Sequence, residues 1–291
     1  MDKQIASYAA TRELIAANNL RAKKNFGQNF LVDPFVLEKI VSAPNVTKDD
    51  LVIEIGPGLG ALTQALLERA GHVVAVELDS QLAQLLQTTL SGYENLTILN
   101  ADALTCDWTE ITRTHGYSSF KVVANLPYYI TTPLIMSFLE GSAPVASVTI
   151  MIQREVAARI LAKPSTRDYG ALTLGVAFRA TGKLVANVPR NCFIPRPNVD
   201  SAVICLEVLQ TPPVDVTNEK LLFDIIKAAF GQRRKTLVNC ISTLELPGFT
   251  KEIIENTLIQ CGLDKNIRGE ALSLAEFAVI ANAIAAITKD T

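Results

Sequence analysis

Residues that bind metals or form disulfides are sparse. Histidine occurs twice, as His72 and His115, and the five cysteines (Cys106, Cys192, Cys205, Cys240 and Cys261) are odd in number and widely spaced, with no CxxC pair. This argues against both a metal centre and a disulfide framework. Neither sign of charge prevails: 27 basic and 29 acidic residues leave a net charge of −2, so a polyanionic partner would have to be held by local patches. Long apolar runs are missing as well. The most apolar late stretch, Phe277 to Ile287, is too short to span a bilayer and contains Asn282. The opening MDKQIASYAATRELIAANNL carries acids and polar groups throughout, with no apolar core before a small-residue cleavage site, so the expected location is the cytoplasm.

What is present suffices for a full core. With 291 residues, 49% of them hydrophobic, one large domain plus a smaller one is expected. The chain is organised around Leu51 to Gly60, LVIEIGPGLG. Its apolar, partly β-branched start suits a strand buried on both faces of a parallel sheet. Gly56, Gly58 and Gly60 then allow a sharp turn and close approach of a ligand to the backbone, and Ala61 to Ala70 reads as a helix. This is a nucleotide-type cradle.

Successive strand ends carry the polar groups that such a cradle needs. His72 to Glu77 is a second buried strand, and Glu77 stands 17 residues beyond Gly60, near where nucleotide-binding α/β units place a carboxylate for ribose hydroxyls. After a helix from Gln81 to Leu90 and a strand from Asn95 to Asn100, Asp102 is placed to accept from an adenine amino group. Gly56, Gly58 and Ala61 also satisfy a dinucleotide fingerprint, so the glycines alone leave a nicotinamide dehydrogenase open. The next strand end separates the two. Lys121 to Tyr129 (KVVANLPYY) stops at Asn125, Leu126, Pro127 and Tyr128. An asparagine amide oxygen and a backbone carbonyl beside a proline-stiffened turn suit both hydrogens of adenine N6, and accepting them favours a pyramidal, nucleophilic nitrogen. Tyr128 would stack on the base.

Elsewhere the patches are basic. Arg21 to Asp33 (RAKKNFGQNFLVD) offers Lys23 and Lys24 to phosphates and the amides of Gln28 and Asn29 to a ligand, before Asp33 and Pro34 open a helix running to Val41. Helices are expected at Thr11 to Asn18 and Thr131 to Glu140, and a strand at Ser147 to Gln153. Arg154 begins a helical stretch whose Arg159, Lys163 and Arg167 give it a basic side. Tyr169 to Ala180 and Ser201 to Val208 read as strands bracketing a proline-stiffened loop, where Phe193 is offered as a second stacking face for an extruded base. Pro212 and Pro213 mark the expected boundary between a domain of residues 1–212 and a helical domain of 213–291. In the latter, Gln232 to Lys235 is the densest basic run. Placed at the start of a helix expected from about Arg233 to Thr243, where the dipole disfavours cations, it points to an anionic partner for Arg233, Arg234 and Lys235.

Together these stretches resemble the KsgA (RsmA) family of small-subunit rRNA adenine N6-dimethyltransferases. The resemblance runs through KKNFGQNFL at Lys23 to Leu31, IEIGPGLGALT at Ile53 to Thr63, NLPYYITTP at Asn125 to Pro133, FIPRPNVDSAV at Phe193 to Val203 and AFGQRRKTLVN at Ala229 to Asn239. It implies an α/β chain: a Rossmann-like, class I methyltransferase sheet with a small all-helical C-terminal domain. S-adenosylmethionine would be the cofactor, and two adjacent adenosines in a hairpin loop near the 3′ end of 16S rRNA, within an immature small subunit, the substrate. Carried over by position, Gln28, Asn29 and Leu31 close over the cofactor, the Gly56 loop lies beneath its methionine part, Glu77 with Leu78 holds the ribose, and Asp102 with Ala103 holds the adenine. Asn125, Leu126 and Tyr128 position the target amine opposite Phe193. No metal, no membrane and a monomer are expected. Erm methyltransferases of large-subunit rRNA and mitochondrial transcription factor B share this catalytic core, and a non-catalytic assembly factor is the rival from another class. The GQRRKT stretch and the full arm favour the small-subunit enzyme.

Overall fold

The structure is a computed structural model that describes residues 5, 7–18, 28–126, 130–244, 246 and 248–289. Helix α1 (Tyr8–Ala17) is followed by a short strand, β1 (Phe30–Leu31), and by α2 (Pro34–Ser42). Strand and helix then alternate through β2 (Leu51–Ile55), α3 (Ala61–Leu67), β3 (His72–Glu77), α4 (Ser80–Thr89), β4 (Leu96–Asn100), α5 (Trp108–Thr114), β5 (Phe120–Asn125), α6 (Thr131–Glu140), β6 (Val145–Gln153) and α7 (Arg154–Ile160). Next come α8 (Ala171–Ala177), β7 (Ala180–Val188), β8 (Phe193–Ile194) and β9 (Ser201–Val208), and the chain closes with α9 (Glu219–Gly231), α10 (Leu237–Ile241), α11 (Lys251–Gln260) and α12 (Leu274–Lys289).

Two compact units result. The first holds Met1–Ala157 and Thr181–Val208; the second holds Ala158–Ala180 and Leu209–Thr291. In the first, seven strands lie in the order β4-β3-β2-β5-β6-β9-β7, with β4 to β6 mutually parallel and β9 antiparallel to β6. The register pairs Ile55 with both Val76 and Ala124, so the carboxyl ends of β3, β2 and β5 finish level. That levelling places Glu77, Gly56 and Asn125 along one rim, the ordinary ligand edge of an open parallel sheet.

Continuous apolar sequence explains the burial. Every residue of β2 is buried, and Leu66 and Leu86, from α3 and α4, are sealed against the sheet. Each such leucine contributes about 1.5–3 kcal/mol through removal from water. Asp33 caps α2 as its sequence implies, accepting from the backbone N–H groups of Phe35 at 2.9 Å and Val36 at 3.2 Å. Helix α5 has no apolar periodicity in sequence. It is fixed by the Asp107 cap and by Trp108, whose ring sits 5.4 Å from Phe138 and 6.3 Å from Phe120.

The stretch from Tyr169 to Ala180, expected as a strand, is instead mostly α8, and the neighbouring strand is β7. Short apolar runs do not declare their period. Here Leu174 and Phe178 lie on one helical face, and both are buried in the core of the second unit with Leu222 and Ile225 of α9. The hydroxyl of Tyr169 donates to the Leu272 carbonyl at 2.7 Å within the same unit.

Both histidines meet at β3 and α5. His115 Nδ1 lies 2.8 Å from the Ile111 carbonyl, which can only accept, so Nδ1 carries the proton and Nε2 accepts from the Thr97 hydroxyl at 3.1 Å. His72 Nε2 must then donate to Thr97 Oγ1 at 2.9 Å. Burial, and next the neighbouring His115, hold the His72 pKa below its ordinary value. The unfolded chain therefore takes up a proton near pH 6.5 while the folded one resists, and stability is complete above that pH and declines as pH falls through it. The Glu54 carboxyl cancels in a comparison with His72→Gln, whose amide still donates to Thr97, so the melting temperature of the protein relative to that variant should fall as pH drops from about 8 to 5.5. An equal slope in both proteins would refute the assignment.

Candidate cofactor and adenine site

A cavity of about 300 Å³ opens at the carboxyl rim of the sheet in the first unit. Gln28, Asn29 and Leu31 line it from the arm, Gly56 and Gly58 from the glycine turn, and Glu77, Leu78, Asp102, Ala103, Asn125 and Leu126 from the strand ends. The turn is built for close approach. Gly58 has φ +60°, and a Cβ there would sit 3.2 Å from the Phe30 ring. Its N–H donates to Glu77 Oε2 at 3.2 Å, while the Asp79 N–H donates to Glu77 Oε1 at 2.9 Å. Glu77 is thus oriented by backbone N–H groups of the glycine turn and of the residue after Leu78. Burial raises its pKa, the two N–H donors oppose the rise, and the Asp79 charge adds to it.

The other strand ends are fixed by hydrogen bonds as well, one local and the rest long-range. Asp102 Oδ1 accepts from the Leu104 N–H at 2.9 Å, starting a single turn of 3₁₀ helix. Leu78 and Leu104, 47% and 46% exposed, give the cavity apolar lips suited to a flat aromatic ring. Gln28 Nε2 donates to Asp79 Oδ2 at 3.1 Å, tying the arm to the start of α4. Asn125 Nδ2 donates to the Asn29 carbonyl at 3.1 Å. With its amide nitrogen so occupied, Asn125 presents Oδ1 as an acceptor. The Leu126 N–H is taken by the Met151 carbonyl at 3.2 Å, which fixes the backbone beyond β5.

No sequence rule used above assigns a role to Glu54. It is the one acid within the apolar β2, it is 1% exposed, and it lines the cavity with Oε2 lacking a hydrogen-bond partner among the described residues. Burial pushes its carboxyl up to about 8, the Thr63 hydroxyl opposing and the charge of Glu77 adding. A lone carboxylate inside a buried strand is itself a signal, since burial without a partner is costly.

Several expected site residues fall elsewhere. Gly60 caps α3 at φ +89° and meets Leu86, where a Cβ would come within 2.8 Å, so it serves packing and not the cavity wall. Phe193 pairs with Leu31 across β8 and β1 and is 4% exposed in the core, outside the cavity lining. Pro127, Tyr128, Lys23 and Lys24 lie outside the described residues. Among the described residues no group of three or more His, Cys, Asp or Glu could hold a metal ion, and no helix is long and apolar enough to cross a membrane.

The profile of the ribosomal RNA adenine dimethylase family matches residues 19–285. The chain belongs to this family. It is 52% identical to the ribosomal RNA small subunit methyltransferase A of Lachnoclostridium phytofermentans over 264 residues, covering 90% of this chain and 91% of that one. Among solved structures, a dimethyladenosine transferase from Plasmodium falciparum aligns at TM-score 0.72 with 27% identity, over 86% of this chain and 95% of that one. The 23S rRNA methyltransferase ErmE aligns at TM-score 0.69 with 25% identity, over 88% of this chain and 100% of that one. The dehydrogenase reading of the glycine turn is thereby set aside, and the small-subunit reading is favoured over the large-subunit one. The cofactor of this dimethylase is S-adenosylmethionine, and the cavity fits it: a carboxylate aimed by backbone donors, apolar lips beside Asp102, and an unpartnered buried carboxyl at its wall.

The basic residues of the dimethylase are less uniform than their sequence suggests. Arg154 opens α7, 64% exposed, with its guanidinium 3.6 Å from Asp200. The run from Gln232 to Lys235 does not begin a helix. It occupies the turn after α9, and α10 starts at Leu237, so the dipole at the end of α9 favours cations there. Arg233 already has partners, donating to the Arg167 carbonyl at 2.9 Å and to Glu270 Oε2 at 3.2 Å. Arg234 and Lys235 are exposed, with no ion pair among the described residues.

Proposed function

We propose that the protein methylates N6 of two adjacent adenosines in the 3′-terminal hairpin loop of 16S rRNA, twice each, on an immature small subunit in the cytoplasm, acting as a monomer. The observation that carries the site assignment is the Asn125 to Asn29 hydrogen bond, which turns the amide oxygen of Asn125 into the acceptor end beside the cavity. Asn125 Oδ1 and the Leu126 carbonyl accept the two N6–H groups, drawing the nitrogen lone pair out of conjugation. Tyr128, by its place in the motif, stacks on the base. Glu77 holds the ribose and Asp102 the adenine of the donor. The donor supplies a methyl group on a sulfonium, which passes in line to N6. The N6 proton leaves after the nitrogen becomes cationic, so no dedicated base is needed. The protein supplies orientation and exclusion of water.

Incubating undermethylated small and large subunits together with the protein and labelled S-adenosylmethionine, then mapping label by mass spectrometry, tests the reading. Label on two neighbouring adenosines near the 3′ end of 16S rRNA supports it. Label confined to 23S rRNA, or no transfer, contradicts it.

Arg234 and Lys235 are the basic pair placed to meet RNA phosphates, whereas Arg233 is held within its own unit. Arg234→Glu with Lys235→Glu should weaken particle binding and reduce its salt slope by about two, leaving cofactor affinity unchanged. Arg233→Glu should instead lower the melting temperature, because it sets two acids together at Glu270. Particle affinity untouched by the double substitution at every salt concentration would refute this division of roles.

A further inference from the structure

Helix α1 contributes to the cofactor cavity in a way that none of the motifs describes. Thr11 is 1% exposed and lines the cavity, yet among the described residues its hydroxyl makes no hydrogen bond. Buried hydroxyls normally have a partner. Ile15 lies one helical turn on, on the same face, and packs against Phe30, Leu59 and Leu82, all of which line the same cavity. Phe30 in turn abuts Gly58, whose N–H aims Glu77. The Thr11 face of α1 therefore borders the end of the cavity where Glu77 sits.

The helix is anchored there. Ser7 caps it, accepting from the Ala10 N–H at 3.2 Å, and just before the cap the Ile5 N–H donates to Gln64 Oε1 of α3 at 3.0 Å, both residues being buried. Ile5 joins the core cluster of Leu62, Leu66 and Leu86, and Leu14 packs on the same cluster. The contacts run to α3 and α4, the helices that follow the glycine turn and Glu77. A helix pinned in this way behaves as a wall and not as a loose arm.

We propose that α1 is a built-in wall of the cofactor site and that Thr11 Oγ1 hydrogen-bonds the ribose of the bound nucleoside, sharing that ribose with Glu77. The inference rests on the cofactor reading given above. It adds a positioning residue that neither touches the reacting atoms nor belongs to the glycine turn.

Calorimetry on the full chain with S-adenosylhomocysteine and with its 2′,3′-dideoxyribose analogue tests it. Thr11→Val should weaken S-adenosylhomocysteine binding about five- to tenfold at an unchanged melting temperature, the loss of roughly one hydrogen bond, and Thr11→Ser should restore it. With the dideoxy analogue, wild type and Thr11→Val should bind alike. Gln64→Ala, which frees the Ile5 end without touching the cavity, should speed dissociation of S-adenosylhomocysteine. Wild-type affinity in Thr11→Val, or an equal penalty with both ligands, overturns the inference. Failure of wild type to bind S-adenosylhomocysteine at all overturns the cofactor reading together with it.

Discussion

Replacing Asn125 by alanine is expected to slow methyl transfer by about 10²–10³, the usual cost of removing one preorganised group aimed at the transition state. The side chain is half-buried and makes a hydrogen bond to the Asn29 carbonyl, so its loss also frees the arm from the strand end. Asn125→Asp separates the two effects. A carboxylate keeps an acceptor for N6–H but cannot donate to Asn29, so it should retain part of the rate while losing cofactor affinity. Single-turnover transfer with labelled cofactor, set beside equilibrium binding, reads both. An alanine variant with undiminished single-turnover rate would remove Asn125 from the chemistry.

Cofactor affinity is expected to climb with pH towards about 8, approaching tenfold per unit, because of Glu54. In the free protein its carboxyl is neutral at pH 7, for burial pushes its pKa up to about 8. A cation bound beside the unpartnered Oε2 favours the carboxylate, so binding releases a proton. S-adenosylmethionine carries such charge on its ammonium and sulfonium. Binding heats measured in two buffers of different ionisation enthalpy should therefore differ at pH 7, and Glu54→Gln should abolish both the difference and the pH slope. The same shift acts on folding with the opposite sign. The unfolded chain ionises in the ordinary carboxylate range, so the free protein loses stability as pH rises from there through 8, and the Gln variant does not. Identical heats in both buffers would rule the linkage out.

The sheet and its ligand rim were legible because they rest on local rules. Buried strands read as apolar runs, the glycines at 56 and 58 mark positive φ, and polar residues at strand ends follow from the topology of a parallel sheet. What stayed hidden depends on tertiary partners. Tyr169 to Ala180 is apolar enough for either period, and only packing against α9 selects the helix α8. Arg233 reads as a free cation until Glu270, 37 positions later, is folded against it. Phe193 reads as a stacking platform, but its pairing with Leu31 places it in the core. Thr11 lies in no motif and Glu54 has no role assigned within IEIGPGLGALT; each is identified as a buried polar residue at the cavity wall with a side-chain oxygen that has no hydrogen-bond partner among the described residues.

The most direct measurement is a crystal structure with S-adenosylhomocysteine bound. The account predicts ribose hydroxyls on Glu77, the adenine between Leu78 and Leu104 with its amine towards Asp102, and the sulfur turned to Asn125 and Leu126. A ligand seated away from this rim, or one whose sulfur points away from Asn125, would contradict it.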